Sequence, residues 1–126
     1  MGRTICRTFL DAGADVVTCA RSAPEEDVAS SDGTRLATFI GTDVRDPDQV
    51  EALVAGAVER MGRLDVLVNN AGGAPTADSA TVSPRFNEKV VALNLLGPMV
   101  CCQAAYRVMA DQGGVGVMIN LSLIHI

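Results

Sequence analysis

The chain has 126 residues, 48% hydrophobic and 3% aromatic with no Trp, which suits one domain whose core is packed from Val, Ala, Leu and Ile, as in helix-covered sheets. Fifteen acidic against 10 basic residues give a net charge of −5, and the basic residues are scattered along the chain, which argues against nucleic acid as a partner. Cys6, Cys19, Cys101 and Cys102 form no C-x-x-C pair and no His stands at ligand spacing, so neither a zinc site nor a redox motif is supported and free buried thiols are expected.

From Gly2 to Ala12 the apolar residues Ile5, Phe9 and Leu10 recur at helical spacing, and Gly13 stands where a helix would stop. Asp15 to Ala20 supplies Val16, Val17 and Thr18 for a short strand with Arg21 at its carboxyl end, and the polar, acidic Ser22 to Gly33 reads as a short helix or loop. Leu36 to Thr42 is a second strand, ending at Asp43 and Val44. Between Pro47 and Met61 the residues Val50, Leu53, Val54, Ala57 and Val58 share one helical face, with Asp46 or its neighbour as cap and Pro47 in the first turn.

Residues 64 to 73 read Leu-Asp-Val-Leu-Val-Asn-Asn-Ala-Gly-Gly. The run is apolar without helical spacing, and no polar residue separates Val66 from Val68, so both faces of this strand must be covered, as in a parallel sheet. Asn69, Asn70, Ala71, Gly72 and Gly73 gather at its carboxyl end, where open α/β sheets bind ligands and where glycine lets a flat cofactor approach the backbone. A plain turn needs fewer such residues.

A loop holding Pro75 and Pro84 follows, then Phe86 to Ala110 as a long helix broken or bent at Gly97-Pro98. Its apolar residues run nearly all round, which predicts cover on more than one side, by another subunit or by further elements. Asn94, Pro98 and Gln103 interrupt the apolar stretch Val90 to Ala105 and no charged leader opens the chain, so neither secretion nor a membrane is expected and a cytoplasmic location follows by default. Gly113 and Gly114 end the helix, and Val115 to Leu121 makes the last strand. The order helix, strand, strand, helix, strand, helix, strand predicts an α/β fold with one doubly wound sheet.

Up to about Leu121 these motifs, in this order and spacing, resemble the short-chain dehydrogenases/reductases. The resemblance implies a Rossmann-like doubly wound parallel sheet, a nicotinamide cofactor, a small-molecule alcohol or carbonyl substrate interconverted by hydride transfer, and a homo-oligomeric parent. It also implies that Asn69, Ala71 and Gly72 line the adenosine side of the cofactor and that Asp43 accepts a hydrogen bond from the adenine amino group beside the Val44 backbone. Asp is equally at home as a helix cap or loop residue. Asn94 resembles the helix asparagine that holds a water in the family's proton relay; satisfying a kink near Pro98 is the competing role. At the end of the second strand Ala20 stands where NAD-using members carry an acid, and Arg21 follows, whose planar donors suit a 2′-phosphate unless it is only a solvated surface arginine. The cofactor expected is therefore NADP, with NAD as the second choice.

The chain also departs from the family. Of the phosphate-binding turn Gly-x-x-x-Gly-x-Gly only the last glycine has a counterpart, Gly2, which implies that the first strand and two glycines lie upstream of Met1. In the order 3-2-1-4-5 that strand is central, so a gap is expected in the middle of the sheet, and a native-like folded monomer is not. The family's proton-transfer tyrosine has a lysine four residues on, whereas Tyr106 is followed by Ala110 and Lys89 lies upstream; Tyr106 reads as a helix residue near the core. Asn120-Leu121-Ser122 resembles the strand carrying the reactive serine, but that serine would fall one position later, at Leu123. The final Ser122 to Ile126 is unlike the family, and His125 reads as incidental. The sequence thus predicts residues 1–121 as a partial dinucleotide-binding domain, inactive alone, from an NAD(P)-dependent oxidoreductase. The alternatives are a catalytically dead nucleotide-binding module or an interaction module of the same fold.

Overall fold

A computed structural model describes residues 1–121; the expectations for Ser122, Leu123, His125 and the tail lie outside the described residues. The elements run α1 (Gly2–Asp11), β1 (Val17–Ala20), β2 (Thr38–Gly41), α2 (Pro47–Met61), β3 (Val66–Asn69), α3 (Pro84–Val91), a π-helical turn (Ala92–Leu96), α4 (Gly97–Asp111) and β4 (Val117–Asn120). Residues 22–33, read as helix or loop, form a loop whose Ala29 makes an isolated antiparallel bridge to Leu36.

Local chemistry sets the ends of α2. The Asp46 carboxylate accepts hydrogen bonds from the amides of Asp48 (3.0 Å) and Gln49 (3.4 Å), Pro47 occupies the first turn, and Gly62 closes the helix at φ 77°, a left-handed conformation that glycine adopts without a Cβ penalty. The apolar face of α2 then buries Val50 and Val54 against Cys101 and Ala104 of α4, with Leu64 and Leu67 packed on the same cluster. Small side chains on α4 allow this close helix packing. The Gln112 side chain fastens the far end of α4 to the start of β3, accepting from the Leu64 amide at 2.8 Å and donating to the Leu64 carbonyl at 2.9 Å.

The long helix is interrupted just ahead of the predicted Gly97-Pro98 bend. Pro98 has no N–H to continue the ladder, and the preceding turn widens so that the Gly97 amide donates to the Ala92 carbonyl, five residues back. Gly97 is needed there for a second reason, since a Cβ would stand 3.1 Å from the Val44 carbonyl oxygen. By length and composition Pro84–Asp111 could cross a membrane; in this fold its α4 portion packs on α2 and β3. Tyr106 is not near the core as the sequence suggested: it is 66% exposed, because the α4 face that turns inward is the one carrying Ala104, Ala105 and Met109. Leu95, Leu96 and Met99 are likewise about half exposed, so the cover expected on that side is not provided by the described residues. Of the four thiols only Cys101 is fully buried; the others sit on or beside open space.

The strands form parallel pairs. β1 pairs with β2 from Val17↔Thr38 to Ala20↔Gly41, and β3 pairs with β4 from Val66↔Val117 to Asn69↔Asn120. Where one continuous sheet was predicted, the described residues make two separate two-stranded sheets. A cavity of about 530 Å³ lies between β1 and β3, floored by α1 and by residues of α2. A gap in the middle of the sheet was the expectation, and the two sheets part at this cavity.

Leu10, 1% exposed on α1, gives a direct check on the docking of that helix. Replacing it with Ala is expected to lower the unfolding free energy by about 2–5 kcal/mol in urea titrations followed by circular dichroism; a loss below about 0.5 kcal/mol, the range of surface changes, would show that α1 is not packed as described.

Candidate functional site

The carboxyl ends of β1, β2 and β3 open on one cavity of about 370 Å³, which Arg21, Asp43, Val44, Ala71 and Gly72 all line. Five of the eight residues singled out from the sequence are thus brought together, each by the loop that follows a strand. Asn69 and Gly2 line instead the gap between the two sheets, which shares Cys19, Val44 and Ala71 with the first cavity. At the junction Gly2 packs so tightly on Asn70 that a Cβ would stand 3.0 Å from its amide nitrogen. The Asn69 side-chain amide donates to Asn120 Oδ1 at 2.8 Å and to Cys102 Sγ at 3.3 Å, tying β3 to β4 and to α4.

Asp43 is not a helix cap; Asp46 has that role. Its carboxylate is gripped by Arg45, which donates from Nε at 2.8 Å to Oδ1 and from Nη2 to Oδ2. This forked, charge-assisted pair, helped by the backbone amide and charge of Arg45 and by the charge of Arg21, outweighs desolvation and holds the Asp43 carboxyl down at about 2. The Asp43 amide donates to Gln49 Oε1 at 2.9 Å, while Gln49 Nε2 donates to the capping Asp46 at 2.8 Å. Asp43 is therefore ionised and fixed before anything binds; the backbone amide, Nε and Nη2 of Arg45 already occupy most of an oxygen pair that can take about four donors.

Sequence reasoning missed Arg45, Gln49 and Lys89. The signal for Arg45 was its place two residues after Asp43 in a turn, where a guanidinium can fold back on the carboxylate. With it, Arg21, Arg45 and Lys89 face a single carboxylate, Asp43, around the cavity. An acidic chain thus presents an electropositive wall at this cavity.

Asn94 lines neither cavity. Its Oδ1 accepts from the Gly73 amide at 2.8 Å, and its Nδ2 donates to the carbonyls of Gly73 (2.9 Å) and Val90 (2.8 Å). Both amide protons are used, one of them on the helix carbonyl four residues back and the other on the loop after β3. The π-helical turn thereby anchors the loop that carries Ala71 and Gly72.

Strand pairs with parallel register, helices between them and a polar crevice at the strands' carboxyl ends define an α/β protein of Rossmann type. The comparisons agree. The family model for short chain dehydrogenase matches residues 1–124, and the chain belongs to the short-chain dehydrogenase/reductase family. It is 38% identical over 133 residues to L-rhamnose 1-dehydrogenase (NAD(P)(+)) of Azotobacter vinelandii, across 98% of this chain and 51% of that protein. Among solved structures it resembles a short-chain dehydrogenase from Streptomyces avermitilis, with a TM-score of 0.84 and 30% identity, over 96% of this chain and 44% of that one. It also resembles actinorhodin polyketide ketoreductase with NADPH, with a TM-score of 0.79 and 31% identity, over 94% of this chain and 47% of that one. The chain therefore spans about half the length of the relatives it matches.

Because the folded pKa of Asp43 is depressed, its ion pair contributes stability that is present above the ordinary carboxylate pKa of about 3.9 and is lost as the pH falls toward about 2. Arg45→Gln is expected to raise the Asp43 midpoint toward the ordinary value in a carboxyl NMR titration. It should also flatten the loss of stability between those two pH values; a midpoint still near 2 would show that Arg45 is not the cause.

Proposed function

We propose that this chain is the cofactor-binding half of an NADP-preferring oxidoreductase that interconverts a small alcohol and its carbonyl compound, and that the 126 residues alone do not turn over. The observation that carries the reading is the cavity where Arg21, Asp43 and Ala71–Gly72 converge from three successive strand ends. The donor set fits the adenosine half of the cofactor: Asp43 supplies a fixed anionic acceptor for an exocyclic amino group, glycine backbone leaves a flat approach, and Arg21 stands free at the rim for a 2′-phosphate. When bound, the nicotinamide supplies or accepts the hydride. What the chain's own residues do is bind and orient: Arg45 and Gln49 hold Asp43, and Asn94 holds the loop after β3. A water held for proton transfer at Asn94 would use the remaining lone pair of Oδ1 or the backbone, since both amide protons are taken.

Three features support the inactivity of the chain by itself. Tyr106 lies exposed on α4, Lys89 lines the cofactor cavity, and no strand fills the space beside Gly2 among the described residues. The exposed Leu95, Leu96 and Met99 on the long helix support a homo-oligomeric whole protein, and a cytoplasmic location belongs to the same proposal.

Calorimetry tests the binding half of this reading: the isolated chain is expected to show no NADP binding near micromolar, about −8 kcal/mol, and binding at that strength would overturn the claim that its site is incomplete. In the whole oxidoreductase, Arg21→Asp should shift kcat/KM from NADP toward NAD by about tenfold or more, the loss of one charge-assisted contact of roughly 1.5–3 kcal/mol. Unchanged selectivity would remove Arg21 from the cofactor site.

A further inference from the structure

The cavity at the strands' carboxyl ends has a further wall that comes from the long helix rather than from a strand-end loop. Ser83 caps α3 by accepting from the Phe86 amide at 3.2 Å, and Pro84 stands in the first turn. From there Phe86, Lys89, Val90 and Leu93 line the cavity together, the spacing of a single helical face. Apart from Lys89 the residues of that face are apolar. Lys89 itself is exposed and lies in the last turn of α3.

The charges around this cavity do not balance. Asp43 is the one carboxylate among its described lining residues, and the forked pair with Arg45 already answers it. The ion pairs of the described residues involve neither Arg21 nor Lys89. Two uncompensated cations therefore reach one cavity of about 370 Å³ from different elements, Arg21 from the loop after β1 and Lys89 from α3. A phosphomonoester carries about −1.5 to −2 at neutral pH, which matches that surplus, whereas a bare ribose hydroxyl leaves it unanswered.

We propose that Lys89 is a second determinant of cofactor choice, holding the 2′-phosphate of NADP from the α3 wall while Arg21 holds it from the loop after β1. This role rests on the reading of the cavity as the adenosine subsite. The two cations divide the work by their chemistry: the planar fork of Arg21 sets the direction of the phosphate, and the ammonium of Lys89, a point charge on a flexible stem, follows it. A phosphate held from both walls also ties the long helix to the loop after β1, which the described residues do not join by an ion pair.

Initial rates of the whole oxidoreductase with NADP and with NAD test this through the ratio of the two kcat/KM values. Lys89→Gln is expected to lower the NADP-to-NAD ratio about tenfold, mainly through KM for NADP, and Lys89→Arg to keep most of it. Arg85→Gln removes a positive charge from the same helix outside the cavity, and with solvent screening it should change the ratio by less than about twofold. An unchanged ratio in Lys89→Gln, an equal fall in Arg85→Gln, or an equal loss with both cofactors would overturn the proposal. Arg21→Asp in the same assay separates the two inferences. A shift there with none at Lys89 removes Lys89 and leaves the cofactor reading standing, whereas no shift at either position removes both.

Discussion

A strand buried in a parallel sheet must be covered on both faces and paired on both edges, and the arrangement of this chain follows from meeting the first demand and only half of the second. Among the described residues each strand has one partner: β1 has β2 and β3 has β4. The faces are covered because α1, α2 and α4 supply apolar stripes, and the core cluster of Val50, Val54, Cys101 and Ala104 holds two of those helices together. The inner edges of β1 and β3 have only the cavity. With single buried groups worth about 1–3 kcal/mol against a whole domain's 5–15 kcal/mol, the state of this gap decides how firmly the two halves hold to each other.

The ligand crevice depends on the same constraint. Arg21, Asp43 and Ala71 to Gly73 belong to three loops, and the first two follow one sheet while the third follows the other. Their relative placement is therefore carried by helices rather than by strand pairing. Two contacts do most of this. Gly97 at the start of α4 sits against the Val44 carbonyl, and Asn94 in the π-helical turn grips Gly73 through two hydrogen bonds and Val90 through a third. The widened turn forced ahead of Pro98 thus brings an asparagine to the loop after β3 and a glycine to the loop after β2, joining the two sheets at the crevice where the strands do not.

The helices and strands were readable because their signals are local. Asp46-Pro47 and Gly62 mark α2 as written, and the unbroken Val66 to Val68 run marks a doubly covered strand. Strand ends were overread by a few residues, since apolar residues such as Val115 and Leu36 continue the pattern but are exposed and lie outside the parallel pairs. Tyr106 was misplaced because an amphipathic aromatic fits an inward or an outward position equally well, and the choice depends on which face of α4 meets α2. Arg45 was passed over for a related reason. A surface arginine has no sequence signature until the turn after β2 folds its guanidinium onto Asp43, and that pairing is tertiary information even though the two residues are nearly adjacent.

The electrostatics of the crevice separate what is fixed from what is adjustable. Asp43 is locked by Arg45, by Gln49 and through Gln49 by the cap of α2, so altering it disturbs the helix start as well as the ligand wall. Among the described residues Arg21 makes no such bonds; it follows β1 on an exposed loop and acts on Asp43 through its field. A residue with no structural duty can change without unfolding anything, whereas one woven into a cap cannot. The wall of the crevice is therefore fixed at Asp43 and open to change at Arg21.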